Sequence, residues 1–343
     1  MKKLLNTLYI TTPDARLALD GENVVVYQGE SSLGRFPLHN LEGIVSFGYM
    51  GASPALMGAC ASRNISLCFL TQYGKFLARV VGKEYGNVTL RKTQYCVSAN
   101  EDRSAEIAKC FLFGKIYNSR WVIERAIRDY PMRLDIGRLQ TASNFLKCST
   151  NEIINGSNLA ELRGIEGVAA CVYFGVFDEL ILQQKDSFCF DIRNRRPPLD
   201  NVNALLSFVY TLLANQTAAA LTTVGLDSYV GFLHRDRPGR VSLALDLMEE
   251  LRSVYADRFV LSIINKKIIT PAGFEKKEDG AVVMTDDTRK AVLTAWQNKK
   301  QETITHPFLQ EKVEWGLVPY VQAMLLARFL RGDIDAYPPF LWK

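Results

Sequence analysis

The sequence predicts an α+β protein, with a small, β-sandwich-like N-terminal β domain followed by a larger all-α domain. Three observations lead there. Residues 4 to about 82 fall into short runs rich in β-branched side chains with turn signals between them. Beyond Asn100 apolar residues recur at i, i+3, i+4 and i+7, the period of a helix with one buried face. At 343 residues and 48% hydrophobic side chains, the chain is long enough for two separate cores.

In LALDGENVVVY, Asp20-Gly21 separates two strand-like runs, and FLTQYGKFLARVV turns around Gly74, so both read as hairpins. SPALMGACASR is too rich in alanine for a strand and reads as a short helix. KEYGNVTLRKTQ is polar and lacks a clear period, which sets the boundaries: a β domain over 1–88, a linker over 89–100 and a helical domain over 101–343. AEIAKCFLFGKIYNSRWVIERAI, NLAELRGIEGVAACVYFGVFDELI and NALLSFVYTLLANQTAAAL all carry the helical period. FDIRNRRPPLDN, broken by Pro197-Pro198, and the polar stretch from Thr270 to Asp287 read as loops.

The formal charge of +5 is mild but concentrated. Arg193, Arg195 and Arg196 form one cluster, and Arg235, Arg237 and Arg240 form a second. Lysine and arginine pairs at 266–267, 276–277, 289–290 and 299–300 form a third. Seven cysteines without a CxxC pair, most among apolar neighbours, read as free thiols in a reducing compartment. MKKLLNTLYITTPDARL lacks the apolar run of a signal peptide, and nowhere do 18 apolar residues follow one another, so a soluble, cytoplasmic protein is expected, with no membrane partner. No GxxxxGK[ST] loop supports nucleotide hydrolysis.

Residues 234–253, HRDRPGRVSLALDLMEELRS, place one of only three histidines on a loop after Gly231 and before Pro238-Gly239. Ser242 reads as the N-cap of the following helix, on which Asp246 and Glu249 share a face. A solvated acidic stripe would explain that pair equally well. Glu166 weighs against it: in LAELRGIEGVAACVYF its i±3, i±4 and i+7 neighbours are apolar, so the carboxylate lies along the buried face. Something positive must meet it there, and a metal ion would. Gly164 and Gly167 beside it leave room for a substrate or, equally, for tight helix packing. One imidazole with two or three carboxylates and no cysteine suits Mg²⁺ or Mn²⁺ better than structural zinc. Such an ion among arginines is the arrangement expected for phosphodiester chemistry.

The blocks LRGIEGVAA, RNRRPPLDNVNALLSFVYTLL and GFLHRDRPGRVSLALDLMEELR resemble the CRISPR-associated endonuclease and integrase that inserts new spacers, the larger subunit of the adaptation complex. The resemblance runs nearly end to end. The tail ETITHPFLQEKVEWGLVPYVQAMLLARFLRGDIDAYPPFLWK is similar to the version found with subtype I-C systems. It implies a metal-dependent DNA endonuclease and integrase whose catalytic ligands fall by motif on Glu166, His234 and Glu249, with Asp246 a possible additional ligand, directly or through water. Many members carry aspartate where this chain has Glu249. The resemblance further implies a homodimer and a small ferredoxin-like companion protein; the exposed strand edges of the β domain make it the expected dimer surface. The DNA would be double-stranded, both the prespacer and the CRISPR repeat.

Beside those ligands, Arg193, Arg195, Arg196, Arg235, Arg237 and Arg240 are expected to meet phosphates. Asn203 and Tyr210 lie in an apolar helix, as core residues or as supports of the site. His306, held out of a helix by Pro307, is expected in the same supporting set or on DNA. His39 reads as a turn residue. The competing reading is a non-catalytic DNA-binding scaffold whose acidic cluster is only structural.

Overall fold

A computed structural model describes residues 5–82 and 88–343. The two N-terminal lysines and part of the polar stretch read as the domain boundary lie outside them. In chain order the strands β1 (Asn6–Ile10), β2 (Ala15–Asp20), β3 (Asn23–Gln28), β4 (Ser31–Pro37) and β5 (Leu41–Phe47) come first. Helix α1 (Pro54–Ser62) leads to β6 (Ser66–Leu70) and β7 (Phe76–Val80). The helices α2 (Val88–Ser98), α3 (Glu101–Asp129), α4 (Ile136–Asn155), α5 (Leu159–Gly175), α6 (Asn201–Thr223), α7 (Ser242–Leu251), α8 (Arg258–Asn265), α9 (Asp286–Gln301) and α10 (Val318–Arg331) follow. The α+β class expected from the sequence is the one observed.

The chain divides into two compact units: Met1–Tyr85 with Met284–Gln301, and Gly86–Val283 with Glu302–Lys343. In the first, β2, β3 and β4 form an antiparallel meander, and a second sheet runs in the order β1-β5-β6-β7. Both expected hairpins are there, at β2–β3 and β6–β7. The parallel pairing of β1 with β5 and β5 with β6 was not anticipated; each pair needs a crossover, which the β2–β4 meander supplies for the first and α1, capped by Ser53, for the second. Leu17, Val24, Val26, Leu38, Ile44, Leu56 and Leu67 meet in one core.

Two expectations about organisation need correction. The supposed linker 89–100 is mostly the helix α2, and it belongs with the helical unit. Its buried face is Leu90, Gln94 and Val97; the polar residue in the middle hides the period. Conversely, residues 286–301 pack with the strands although they come late in the chain. There Lys300, 2% exposed, donates to Glu42 at 2.6 Å and to Thr7 at 2.8 Å. Arg289 is likewise buried and paired with Asp286 at 2.9 Å. The late lysine and arginine pairs are therefore not one solvated basic stripe.

In the helical unit, α3 packs against α4, α5 and α7, and α6 against α7 and α10. Helix α6 is long and apolar enough to cross a membrane, but 67% of its most apolar window is buried. After α7 the backbone widens into a π segment, Arg252–Asp257. An i→i+5 turn stacks residues five apart, here Arg252 and Asp257, on one side.

Candidate active site

Helix α7 rules out the solvated stripe as the reading of its acidic pair. Asp246, Glu249 and Glu250 are 0%, 3% and 0% exposed, so they are no solvated stripe. Each buried carboxylate needs partners, and each has a different set.

Asp246 holds the histidine loop. Its Oδ2 accepts from the Phe232 and Leu233 amides at 2.7 and 2.9 Å, and its Oδ1 accepts from the His234 amide at 3.0 Å. The same Oδ1 lies 2.5 Å from His234 Nδ1. With its oxygens engaged in this way, Asp246 orients the imidazole and leaves Nε2 free for a ligand, as carboxylate–histidine pairs do at metal sites. The close fit requires Gly231, where a Cβ would stand 2.7 Å from Asp246 Oδ2. Ser242 is not the N-cap: Val241 has that place, and the Ser242 hydroxyl donates to Arg235 O at 3.3 Å.

The misread α2 braces this loop. Gln94 Nε2 donates to the Asp227 and Val230 carbonyls, both at 2.8 Å, and its Oε1 accepts from the Asp227 amide at 2.9 Å. The Ser98 hydroxyl donates to Gly231 O at 2.8 Å. From the other side Arg163, on the helix that carries Glu166, donates to Leu233 O at 3.0 Å. Glu166 and His234, 68 residues apart in sequence, are thus tied to one loop.

The positive group that meets Glu166 is Lys115, on α3. Its ammonium contacts Glu166 Oε1 and lies 2.7 Å from Glu249 Oε2. Arg252 pairs with both Glu249 oxygens, at 2.9 and 3.2 Å. Burial works to raise the Glu249 carboxyl, but Arg252, Lys115 and then His234 outweigh it and bring it to about 2. Among the described residues no three His, Cys, Asp or Glu side chains close on one point as they stand. The donors nevertheless suit a hard divalent ion: two carboxylates already share one cation, and the same helix α7, through Asp246, anchors the imidazole of His234.

Behind α7, Glu250 is fully buried, and burial lifts its carboxyl to about 7 although it accepts from the Tyr337 hydroxyl, Gln322 Nε2 and the Phe340 amide. The folded protein therefore holds this proton more tightly than the unfolded chain, whose carboxyl titrates near 4.5. The contribution to stability is complete below about pH 4.5 and is lost as pH rises to about 7. That loss is about 3 kcal/mol at 1.36 kcal/mol per pH unit. Urea unfolding of Glu250→Gln should show a flatter dependence across this window; an unchanged slope would contradict the assignment.

Of the supporting residues, Tyr210 donates to Asp257 Oδ1 at 2.5 Å, and its ring carries the Arg252 and Arg193 guanidinia at 4.7 and 5.3 Å. Burial raises Asp257 to about 6, against the hydrogen bond from Tyr210, the charge of Arg252 and the hydrogen bond from Tyr173. Asn203 accepts from Arg193 at 2.6 Å and donates to Ile192 O at 2.9 Å, shaping the RNRR loop. His306 corrects its expectation: 1% exposed, it reaches Gln322 at 3.0 Å and meets the Phe340 ring edge-on, so it is out of reach of DNA. Desolvation lowers its pKa despite the bond to Gln322.

The arginines divide. Arg195, Arg196, Arg235 and Arg237 are exposed, and Arg195 lines a cleft with Lys115, Glu166, Tyr210 and Arg252. Arg193 and Arg240 instead bind protein, Arg193 the Asn203 and Ser207 side chains and Arg240 the Arg235 carbonyl and Ser242 hydroxyl. They shape the loops that present the others. Among the described residues nothing outside their own helix comes within 4 Å of a Cβ built at Gly164 or Gly167, so helix packing does not explain these glycines.

The sequence reading missed Lys115, Arg252 and Gln94. For Lys115 the signal was there: it shares a face with Asn118 and Ser119, small polar residues on an otherwise apolar stretch of α3, and both are buried.

The family model described as "CRISPR associated protein Cas1" matches residues 8–298. "CRISPR-associated endonuclease Cas1 1" of Chlorobaculum tepidum is 48% identical over 343 residues, covering 100% of both chains. Among solved structures, "Casposase bound to integration product" has a TM-score of 0.84 at 22% identity and covers 99% of this chain and 95% of that one. A "Cas6-RT-Cas1--Cas2 complex" has 0.82 at 22% identity, over 100% of this chain and 36% of that one. Fold, cluster and relatives together define a CRISPR-associated endonuclease. The chain belongs to the Cas1 family.

Proposed function

We propose that this Cas1 family member cuts and joins DNA during spacer acquisition at the cluster formed by Glu166, His234 and Glu249. The observation that carries the reading is the sharing of one cation by Glu166 and Glu249 beside an imidazole whose Nδ1 is fixed by Asp246. Glu166 Oε1, Glu249 Oε2 and His234 Nε2 would hold Mg²⁺ or Mn²⁺. When bound, such an ion polarises phosphoryl oxygens and activates the attacking oxygen.

The chain's own groups do the rest. Asp246 keeps the proton on His234 Nδ1, so that Nε2 presents a lone pair. Arg252, stacked on Tyr210, offsets the charge of Glu249. Arg195, at the cleft, meets the negative charge that gathers on phosphoryl oxygens in the transition state. A 3′ hydroxyl of the prespacer attacks a phosphodiester of the CRISPR repeat, the repeat strand's own 3′ oxygen leaves with a proton, and the two strands are joined. With water in place of the hydroxyl, the same site cuts DNA.

The printed names of the relative and the casposase structure support this assignment. The Cas1–Cas2 neighbour supports a companion protein, which we take to be small and ferredoxin-like. A homodimer through the β domain, assignment to subtype I-C and a cytoplasmic location complete the proposal; the last draws on seven free thiols.

The exposed arginines give a direct test. If Arg235 and Arg237 touch phosphates, alanine at each should reduce the slope of log K against log salt by about 1 and weaken all duplex sequences alike. Filter binding across a salt series reads this; an unchanged slope would return both to the solvated surface.

A further inference from the structure

We propose that Lys115 is the resident counter-ion of the active site, its ammonium holding Glu166 and Glu249 in the place of a divalent cation and yielding that place when the cation arrives. The inference rests on the metal-dependent reading above and adds a residue that the motif does not contain.

Three observations carry it. The Lys115 side chain is 13% exposed and its partner carboxylates 27% and 4%, so the contacts are largely shielded from water. Next, α3 cannot shift away from α7. Gly114 brings the helices so close that a Cβ there would stand 2.9 Å from Glu250 Cβ, and Asn118 donates to Glu250 O at 2.7 Å. The backbone thus delivers Lys115 to the two carboxylates. The residue type is the third: Lys is a compact charge on a flexible stem, unlike the planar guanidinium of Arg252 stacked on Tyr210 and paired with both oxygens of Glu249.

Charge explains what the contact does. Glu166 and Glu249 carry two negative charges, and Lys115 with Arg252 carries two positive ones, so the group is neutral. A dication added beside Lys115 would leave an excess of two positive charges in a half-buried site; with the ammonium gone from the carboxylates, the repulsion is relieved. The cleft offers that ammonium an acceptor. Lys115 lines it together with Ser253, a residue 1% exposed whose buried hydroxyl has no hydrogen-bond partner among the described residues. Until then the neutralised carboxylates do not repel DNA phosphates, so DNA can dock before the metal.

The test is Mn²⁺ binding, read from the electron paramagnetic resonance signal of free Mn²⁺, on the full chain and on Lys115→Met and Lys115→Arg. Lys115→Met should bind at least tenfold more tightly than the unaltered chain, and Lys115→Arg no more tightly. In chelator, Lys115→Met should bind a short duplex at least fivefold more weakly, and Mg²⁺ should remove the difference. If Lys115→Met does not fold by circular dichroism, Lys115→Gln takes its place with the same expected changes. Equal or weaker Mn²⁺ affinity in the folded neutral variant, with binding intact in the unaltered chain, overturns the role of Lys115 alone. No Mn²⁺ binding by any of them overturns the metal reading beneath it.

Discussion

Alanine in place of Glu166, His234 or Glu249 should slow metal-dependent strand joining on the order of 10³-fold or more. Each would supply one donor to the same ion, so the loss falls on transition-state stabilisation. Double variants should lose little more than single ones, because the three act as one unit. The fold should survive best in Glu166→Ala, where Lys115 keeps its contact with Glu249. Glu249→Ala strands more charge, since Lys115 and Arg252 both depend on that carboxylate. Single-turnover rates beside circular dichroism separate chemistry from unfolding. Near-normal rates in a folded variant would remove that residue from the ligand set.

The second large effect falls on Asp246. From sequence alone it was a possible additional ligand, whose loss would cost less than that of the other three if it acted only through water. In the structure it accepts from three backbone amides and fixes His234, with no exposure to solvent. Asp246→Ala leaves those amides buried and unpaired, which costs about 1–3 kcal/mol for each group that finds no water. We expect a loss of about 3–5 kcal/mol in unfolding free energy, the range for breaking one partner of a buried charged network, and strand joining reduced as far as in His234→Ala. Asp246→Asn should also lose activity, because its amide nitrogen cannot accept from the loop. Urea unfolding with an unchanged m-value would report the stability loss cleanly; a change under 1 kcal/mol would contradict the account.

The contrast between these residues shows what could be read from sequence. The division into strands and helices was legible because hydrophobic period is a local property. So were the hairpin at Gly21, the short helix α1 and the anomaly of Glu166, a charge on an apolar face. The parallel pairing of β1, β5 and β6 was not, since it is decided by packing between distant segments. Helix α2 escaped because its central buried residue is Gln94, polar and fully satisfied by a loop 133 residues away in sequence. The same limit hid the division of labour on α7. Asp246 and Glu249 share a face, yet one binds a loop and the other faces a lysine and an arginine, and only the tertiary fold tells them apart. Recognition of the family motif supplied Glu166, His234 and Glu249 but could not supply Lys115, which lies outside the quoted blocks.

The central claim is that this cluster joins DNA strands with a divalent ion held in part by His234. The direct measurement incubates the purified chain and its companion with a supercoiled repeat-bearing plasmid, a short duplex and Mn²⁺, and resolves the products on a gel. The account predicts joined half-site products from the unaltered chain, none in chelator, and none from folded His234→Ala. Joined products at near-normal yield from folded His234→Ala would contradict it, leaving the histidine a loop residue beside a structural acidic helix.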